Sequence, residues 1–166
     1  ALGYRAAGSE RVVAAAACPV AVAPIGALLA DPPRPDELAL ARFTVFADAG
    51  WTACEGRDDD RALSVEVADR RLAFSVGCFF QSNLAALQDL ARHVAAAVGG
   101  VIGSAGHGVL ADLYAGVGLF GALVADRFDR VVAVESNAAS LAHARRNVGE
   151  GRLQAFPMSV EQWIGA

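Results

Sequence analysis

Lysine is absent from this chain of 166 residues: all 14 basic side chains are arginines. With so much alanine and glycine, that is a coding bias and carries no chemistry. Cysteine is scarce. Cys18, Cys54 and Cys78 are widely spaced and form no Cys-x-x-Cys pair. This excludes a disulfide framework and a cysteine-based zinc site, and it fits a reducing, cytoplasmic setting. His93, His107 and His143 share no metal-like spacing either, so no metal site is expected. A basic excess is also missing. The net charge of -4 exerts no global pull on nucleic acid. The adjacent pairs Arg70-Arg71 and Arg145-Arg146 are read as solvated surface. No strongly apolar run reaches the roughly 20 residues of a membrane span. The uncharged stretch Val12–Ala30 is mostly alanine and is broken by Pro19, Pro24 and Gly26, which argues against a signal sequence.

What is present falls into two parts, residues 1–75 and 76–166. In the first, Phe43–Phe46, Leu63–Val67 and Arg71–Val76 are short β-branched and aromatic runs separated by Gly50, Gly56 and Asp58-Asp59-Asp60. They predict a small antiparallel sheet. Asp31-Pro-Pro-Arg-Pro35 predicts a loop, because proline donates no backbone hydrogen bond. In the second part Leu84, Leu87, Leu90, Ala91, Val94 and Val98 recur at helical spacing. Ser82 or Asn83 is placed to cap that helix, and Gly99-Gly100 is expected to end it. Strands are expected at Val109–Leu113, Val131–Val134 and Leu153–Phe156. Helices are expected at about Leu119–Asp126, after Asn137, and at Val160–Trp163. Alternating strands and helices predict an α/β fold with a parallel, doubly wound sheet. Three such strands make an incomplete sheet, so the chain reads as a fragment. Trp51 and Trp163 are expected to be packing residues.

The chemistry concentrates in Asp112-Leu-Tyr-Ala-Gly-Val-Gly-Leu-Phe-Gly121 and in Val131-Val-Ala-Val-Glu135. Each apolar strand ends in an acid, and a glycine-rich turn opens the intervening helix. This order suits an adenosine-bearing cofactor: backbone amides approach the ligand, and a carboxylate accepts two hydrogen bonds from a ribose diol. Gly116-x-Gly118-x-x-Gly121 alone is shared with dinucleotide sites. Asp112 and Tyr114 favour a cofactor without a diphosphate, since phosphate needs bare backbone at this turn. S-adenosyl-L-methionine (SAM) is therefore the expected cofactor.

With Gly77-Cys-Phe-Phe-Gln-Ser-Asn83 upstream and Ala144-Arg-Arg-Asn147 downstream, the ordered motifs resemble those of the RNA uracil-5 methyltransferase family, which makes 5-methyluridine in tRNA or rRNA. The likeness spans about residues 74–150. Gly3-Tyr-Arg5 and Cys18-Pro-Val20 echo the family's central domain more faintly. The resemblance implies a Rossmann-like class I methyltransferase core from residue 76, preceded by a β-rich central subdomain over residues 1–75. It implies SAM as cofactor, RNA as substrate, a cytoplasmic protein and a monomer. It assigns cofactor contact to Gln81, Tyr114 and Glu135. Our reading of the residues adds Asp112, Gly116 and Gly118 in the loop, and Ser159 at the end of the next strand, near adenine. Asp112 is expected mainly to order the loop. Asn83 and Asn147 are expected to cap and stitch helices.

Carbon 5 of uracil is a poor nucleophile. The family adds a cysteine thiolate at carbon 6, the resulting enolate attacks the methyl group, and a carboxylate removes the proton at carbon 5. The residues that do this follow an Asp-Pro-Pro-Arg motif beyond the cofactor strands. Asp31-Pro-Pro-Arg34 precedes the fold and is a coincidence of letters. Cys78 is expected to be a buried structural thiol. Some members bind an iron–sulfur cluster, for which Cys18 would supply one ligand and this chain no others. No catalytic residue is therefore assigned, and this chain alone is expected to transfer no methyl group. A non-catalytic adenosyl-binding or RNA-associated module is the alternative, and a nicotinamide oxidoreductase the third reading.

Overall fold

The computed structural model describes residues 3–32, 44–48, 51–56, 58–59, 61–103 and 107–166. Pro33, Arg34, Pro35, Phe43, Gly50, Asp60 and the Trp51 side chain lie outside that description, and with them most of the expected proline loop. The chain divides into two compact units, Ala1–Arg61 and Ala62–Ala166.

Among the described residues the first unit holds two hairpins and a helix. β1 (Gly3–Arg5) pairs antiparallel with β2 (Val12–Ala14), and β3 (Val45–Asp48) with β4 (Trp51–Cys54). Between them α1 (Ala23–Ala30) starts at a proline, whose missing N–H is no loss in a first turn. The Tyr4 phenol hydrogen-bonds the half-buried Cys18 thiol, which raises the tyrosine pKa and lowers that of the cysteine.

The second unit opens with β5 (Leu63–Val67) and β6 (Arg70–Phe74), joined through Ala68 and Asp69, both at positive φ. Leu63, Val65, Val67, Leu72 and Phe74 point inward at alternate positions and are buried. The expected single antiparallel sheet is instead three separate two-stranded hairpins among the described residues. The apolar face of β5–β6 packs on the helices that follow it. Its contacts group this hairpin with the second unit.

α2 (Leu84–Ile102) follows, with the Asn83 side chain accepting from the Ala86 N–H at 3.0 Å as its cap. Gly99-Gly100 does not end it. The helix runs on to Gly103, which sits at φ +57°. Beside the helix Arg127 Nη1 donates to the Ala95 carbonyl at 2.6 Å, and a Cβ on Gly99 would lie 2.8 Å from that nitrogen, the movable end of a long side chain.

β7 (Val109–Leu113), β8 (Arg130–Val134) and β9 (Leu153–Phe156) form a parallel sheet in the order β7-β8-β9. α3 (Leu119–Val124), prolonged by a tight turn over Ala125–Arg127, links the first two strands; α4 (Ala138–Val148) links the next two. α5 (Val160–Ile164) follows β9. Central β8 is buried at Val131, Val132, Ala133 and Val134, as a strand covered on both faces must be. On one face Ala133 meets Leu141 and Ala144 of α4; on the other Val132 and Val134 meet Val160 of α5, with Phe156 and Trp163 beside them. The molecule is thus α/β, with a parallel sheet carrying helices on both sides. No described helix is long and apolar enough to cross a membrane.

Candidate cofactor-binding site

In a parallel sheet of this kind the carboxyl ends of the strands gather the loops that meet ligands. Here the ends are in register. Leu113 lies beside Val134, and Val134 beside Phe156. The Ala115 N–H donates to the Val134 carbonyl at 3.1 Å, and the Glu135 N–H to that of Phe156 at 3.2 Å. Tyr114, Glu135 and Ser159 therefore stand just past the tips of three adjacent strands.

The glycine loop is built by close approach. Gly118 has φ +75°, and a Cβ there would lie 2.9 Å from the Ala144 Cβ, so glycine lets the start of α3 rest on α4. A Cβ on Gly121 would lie 2.9 Å from Asp112 Oδ2. That oxygen accepts the Gly121 N–H at 2.9 Å, which ties the acid ending β7 to the first turn of α3. Burial dominates the Asp112 carboxyl and pushes its pKa up to about 6; the Gly121 N–H works the other way. Asp112 orders the loop, in keeping with its chemistry.

Glu135 is held differently. Oε2 accepts from the Gly116 N–H at 3.0 Å; Oε1 accepts from the Asn137 N–H at 2.8 Å and the Ser136 hydroxyl at 3.3 Å. A carboxylate offers about four acceptor directions, so a lone pair is left on Oε2. The Gly116 amide is thus engaged by the protein itself, which the sequence does not reveal. Asn137 also caps α4, accepting from the Ser140 N–H at 3.1 Å.

Tyr114 adopts φ +58°, a left-handed conformation that costs about 1–3 kcal/mol for a side chain of this kind. Its ring is 68% exposed, so core packing does not account for that conformation. Its hydroxyl donates to Glu161 Oε1 at 2.9 Å, which raises the phenol pKa; the Glu161 pKa is lowered first by its own backbone N–H, then by the Ser159 hydroxyl and by Tyr114. Glu161 carries no signal in the sequence that links it to the glycine loop.

Ser159 opens α5 through a capping box: its hydroxyl accepts the Gln162 N–H at 3.2 Å, and its own N–H donates to Gln162 Oε1 at 3.0 Å. Its oxygen is therefore shared with the backbone.

Gln81 stands apart from this group in its bonding. It is exposed and makes no hydrogen bond among the described residues. Over residues 76–81 exposure alternates: Val76, Cys78 and Phe80 are buried, while Gly77, Phe79 and Gln81 face solvent. Phe80 stacks on Phe74 at 4.5 Å between centroids. Asn147 brings the origin of this segment to the glycine loop. Its side chain accepts the Ala73 N–H at 2.8 Å and donates to the carbonyls of Ala73 at 2.9 Å and Val117 at 2.8 Å. Asn83 and Asn147 thus cap and stitch, as expected.

The remaining polar groups lie elsewhere. The Cys78 thiol is buried, 3.3 Å from the Ser75 hydroxyl, and Cys54 is buried in the first unit. His107 pairs with Asp129 at 3.2 Å near the start of β7, the opposite end of the sheet. His143 on α4 has a buried Nδ1 without a partner, and burial, with Arg146, lowers its pKa. Among the described residues no cluster of His, Cys, Asp and Glu could hold a metal ion.

No family model matches the chain, and no curated protein sequence matches it. Among solved structures, it is similar to the Pyrococcus abyssi tRNA (uracil-54, C5)-methyltransferase in complex with S-adenosyl-L-homocysteine. The identity is 28% over 57% of this chain and 22% of that one, with a TM-score of 0.44. It is also similar to wild-type Trm5b from Pyrococcus abyssi, at 17% identity over 68% of this chain and 34% of that one, with a TM-score of 0.45. The chain thus spans about a third or less of the length of these structures.

Proposed function

We propose that this chain carries part of the cofactor-binding core of a SAM-dependent RNA methyltransferase acting on carbon 5 of uridine. The observation that carries the adenosyl reading is the Glu135 carboxylate at the tip of β8, fixed by the Gly116 and Asn137 amides with a lone pair still open on Oε2. A carboxylate so held is suited to a ribose diol. Tyr114 and Ser159 flank it past the neighbouring strand tips, and Ser159 is proposed to lie near adenine. Gly116 and Gly118 shape the loop, Asp112 fixes it, and Gln81 is proposed to reach the methionine carboxylate or amine through its amide. The uridine specificity rests on the ordered motifs Gly77–Asn83, Asp112–Gly121, Glu135 and Ala144–Asn147.

A specific observation weighs against the nicotinamide reading. A diphosphate at this turn would need the loop amides, yet the Gly116 N–H is already given to Glu135. A sulfonium makes no such demand. Cys54 and Cys78 are buried, which leaves neither placed to attack a uracil base.

A thermal-shift comparison tests the reading. S-adenosyl-L-homocysteine (SAH) should raise the Tm and NAD should not. The reverse order would overturn it. With labelled SAM and unmodified RNA this chain alone should incorporate no methyl group; incorporation would refute its predicted inactivity.

A further inference from the structure

Tyr114 leaves the end of β7, and Glu161 lies in the first turn of α5, directly after β9. Two strand spacings, about 10 Å, separate β7 from β9. The Tyr114–Glu161 hydrogen bond of 2.9 Å must therefore pass across the end of β8, where Glu135 stands. Both partners are exposed, and the tyrosine backbone is in a left-handed conformation that its surroundings do not otherwise reward. Strain held at an exposed aromatic beside a glycine loop is the mark of a functional position. The Glu161 carboxylate also accepts from its own backbone N–H and from the Ser159 hydroxyl, so it is fixed at the start of α5 and offers the phenol a held acceptor.

We propose that Glu161 is a positioning residue of the adenosyl site: by accepting from Tyr114 it holds the aromatic ring across the strand tips, preformed to lie against the bound nucleoside. The inference rests on the adenosyl reading above. The ring is ordered before the ligand arrives, so binding need not pay its ordering entropy.

The test uses the full chain in three forms: wild type, Glu161→Ala and Glu161→Gln. The chain has two tyrosines, so a Tyr4→Phe background leaves Tyr114 as the only phenol. Ultraviolet titration of that phenol should give a raised pKa with Glu161, falling toward the ordinary tyrosine value in both variants. Calorimetry with SAH should then show affinity reduced on the order of fivefold in Glu161→Ala, the equivalent of one neutral hydrogen bond. Glu161→Gln, which keeps an acceptor oxygen, should recover most of it. Equal affinity in wild type and Glu161→Ala would overturn the proposal, as would tighter binding in Glu161→Ala, which would make the bridge a barrier. An unshifted phenol in the wild-type Glu161 background would overturn it too. Failure of wild type to bind SAH at all is a different result: it removes the adenosyl reading, and the positioning role with it. Far-UV circular dichroism of each variant verifies that α5 and the sheet are intact.

Discussion

Two carboxylates end adjacent strands, and each takes an amide from the same glycine loop, yet they do different work. Among the described residues Asp112 accepts only the Gly121 N–H; it sits under the first turn of α3 and is largely desolvated, so it holds its proton to a higher pH than an ordinary carboxyl, up to about 6. Glu135 accepts three donors, stands at the tip of β8 and keeps a free acceptor direction toward solvent. The contrast teaches that an acid at a strand end becomes a brace or a ligand hook according to how many donors surround it and what they leave open. A motif that spells both acids does not tell which is which.

The harshest way to break this arrangement is at Gly118, which lies between the two amides. Gly118→Ala adds a Cβ 2.9 Å from the Ala144 Cβ at a φ of +75°. Left-handed strain and overpacking together should destabilise the chain by about 3–4 kcal/mol. Urea denaturation checks this, and a loss below about 1 kcal/mol would mean the loop is not packed as described.

Asp112 should reveal itself through pH. Its folded-state pKa is raised to about 6 from 3.8, so the folded chain binds the proton more tightly than the unfolded one. The stability this contributes is present at acidic pH and is lost as pH rises through about 6, to a total of about 3 kcal/mol. Asp112→Asn keeps an oxygen for the Gly121 N–H and removes the buried charge. The stability difference, variant minus wild type, should therefore grow between pH 4 and pH 8. A flat difference would place Asp112 in contact with solvent.

Glu135→Gln should have the opposite profile. Fold stability should fall by only about 1–2 kcal/mol, because the amide oxygen still accepts from one of the Gly116 and Asn137 N–H groups while the NH2 leaves the other unpaired. SAH affinity should fall on the order of 10- to 100-fold, the worth of a charge-assisted pair of hydrogen bonds. Ser159→Ala sharpens the comparison at the third strand tip. Losing the cap of α5 should cost about 1 kcal/mol of stability, with a smaller loss of affinity than Glu135→Gln. If the affinity loss is the larger of the two, Ser159 is the more important hook.

Much of this was legible in the residues. Val131–Val134 is an uninterrupted apolar run because β8 is covered on both faces. Asn83 and Asn137 marked helix starts because a short polar side chain can accept a backbone N–H there. What escaped is non-local. Gly99 looked like a stop signal and instead lies within α2, beside Arg127. The described hairpins of residues 1–75 do not merge into one sheet, and short apolar runs in the sequence do not record which strand edges pair. The Tyr114–Glu161 bridge joins residues 47 positions apart, and no periodicity records it. The capture of the Gly116 amide by Glu135, which leaves one fewer loop N–H for a diphosphate, was equally hidden.

The most direct measurement is isothermal titration of the full chain with SAH and with NAD, each on wild type and on Glu135→Gln. One SAH site on wild type, greatly weakened by the substitution, with no NAD binding, is the predicted result. NAD binding as tight as that of SAH, or SAH affinity indifferent to Glu135, would contradict the account.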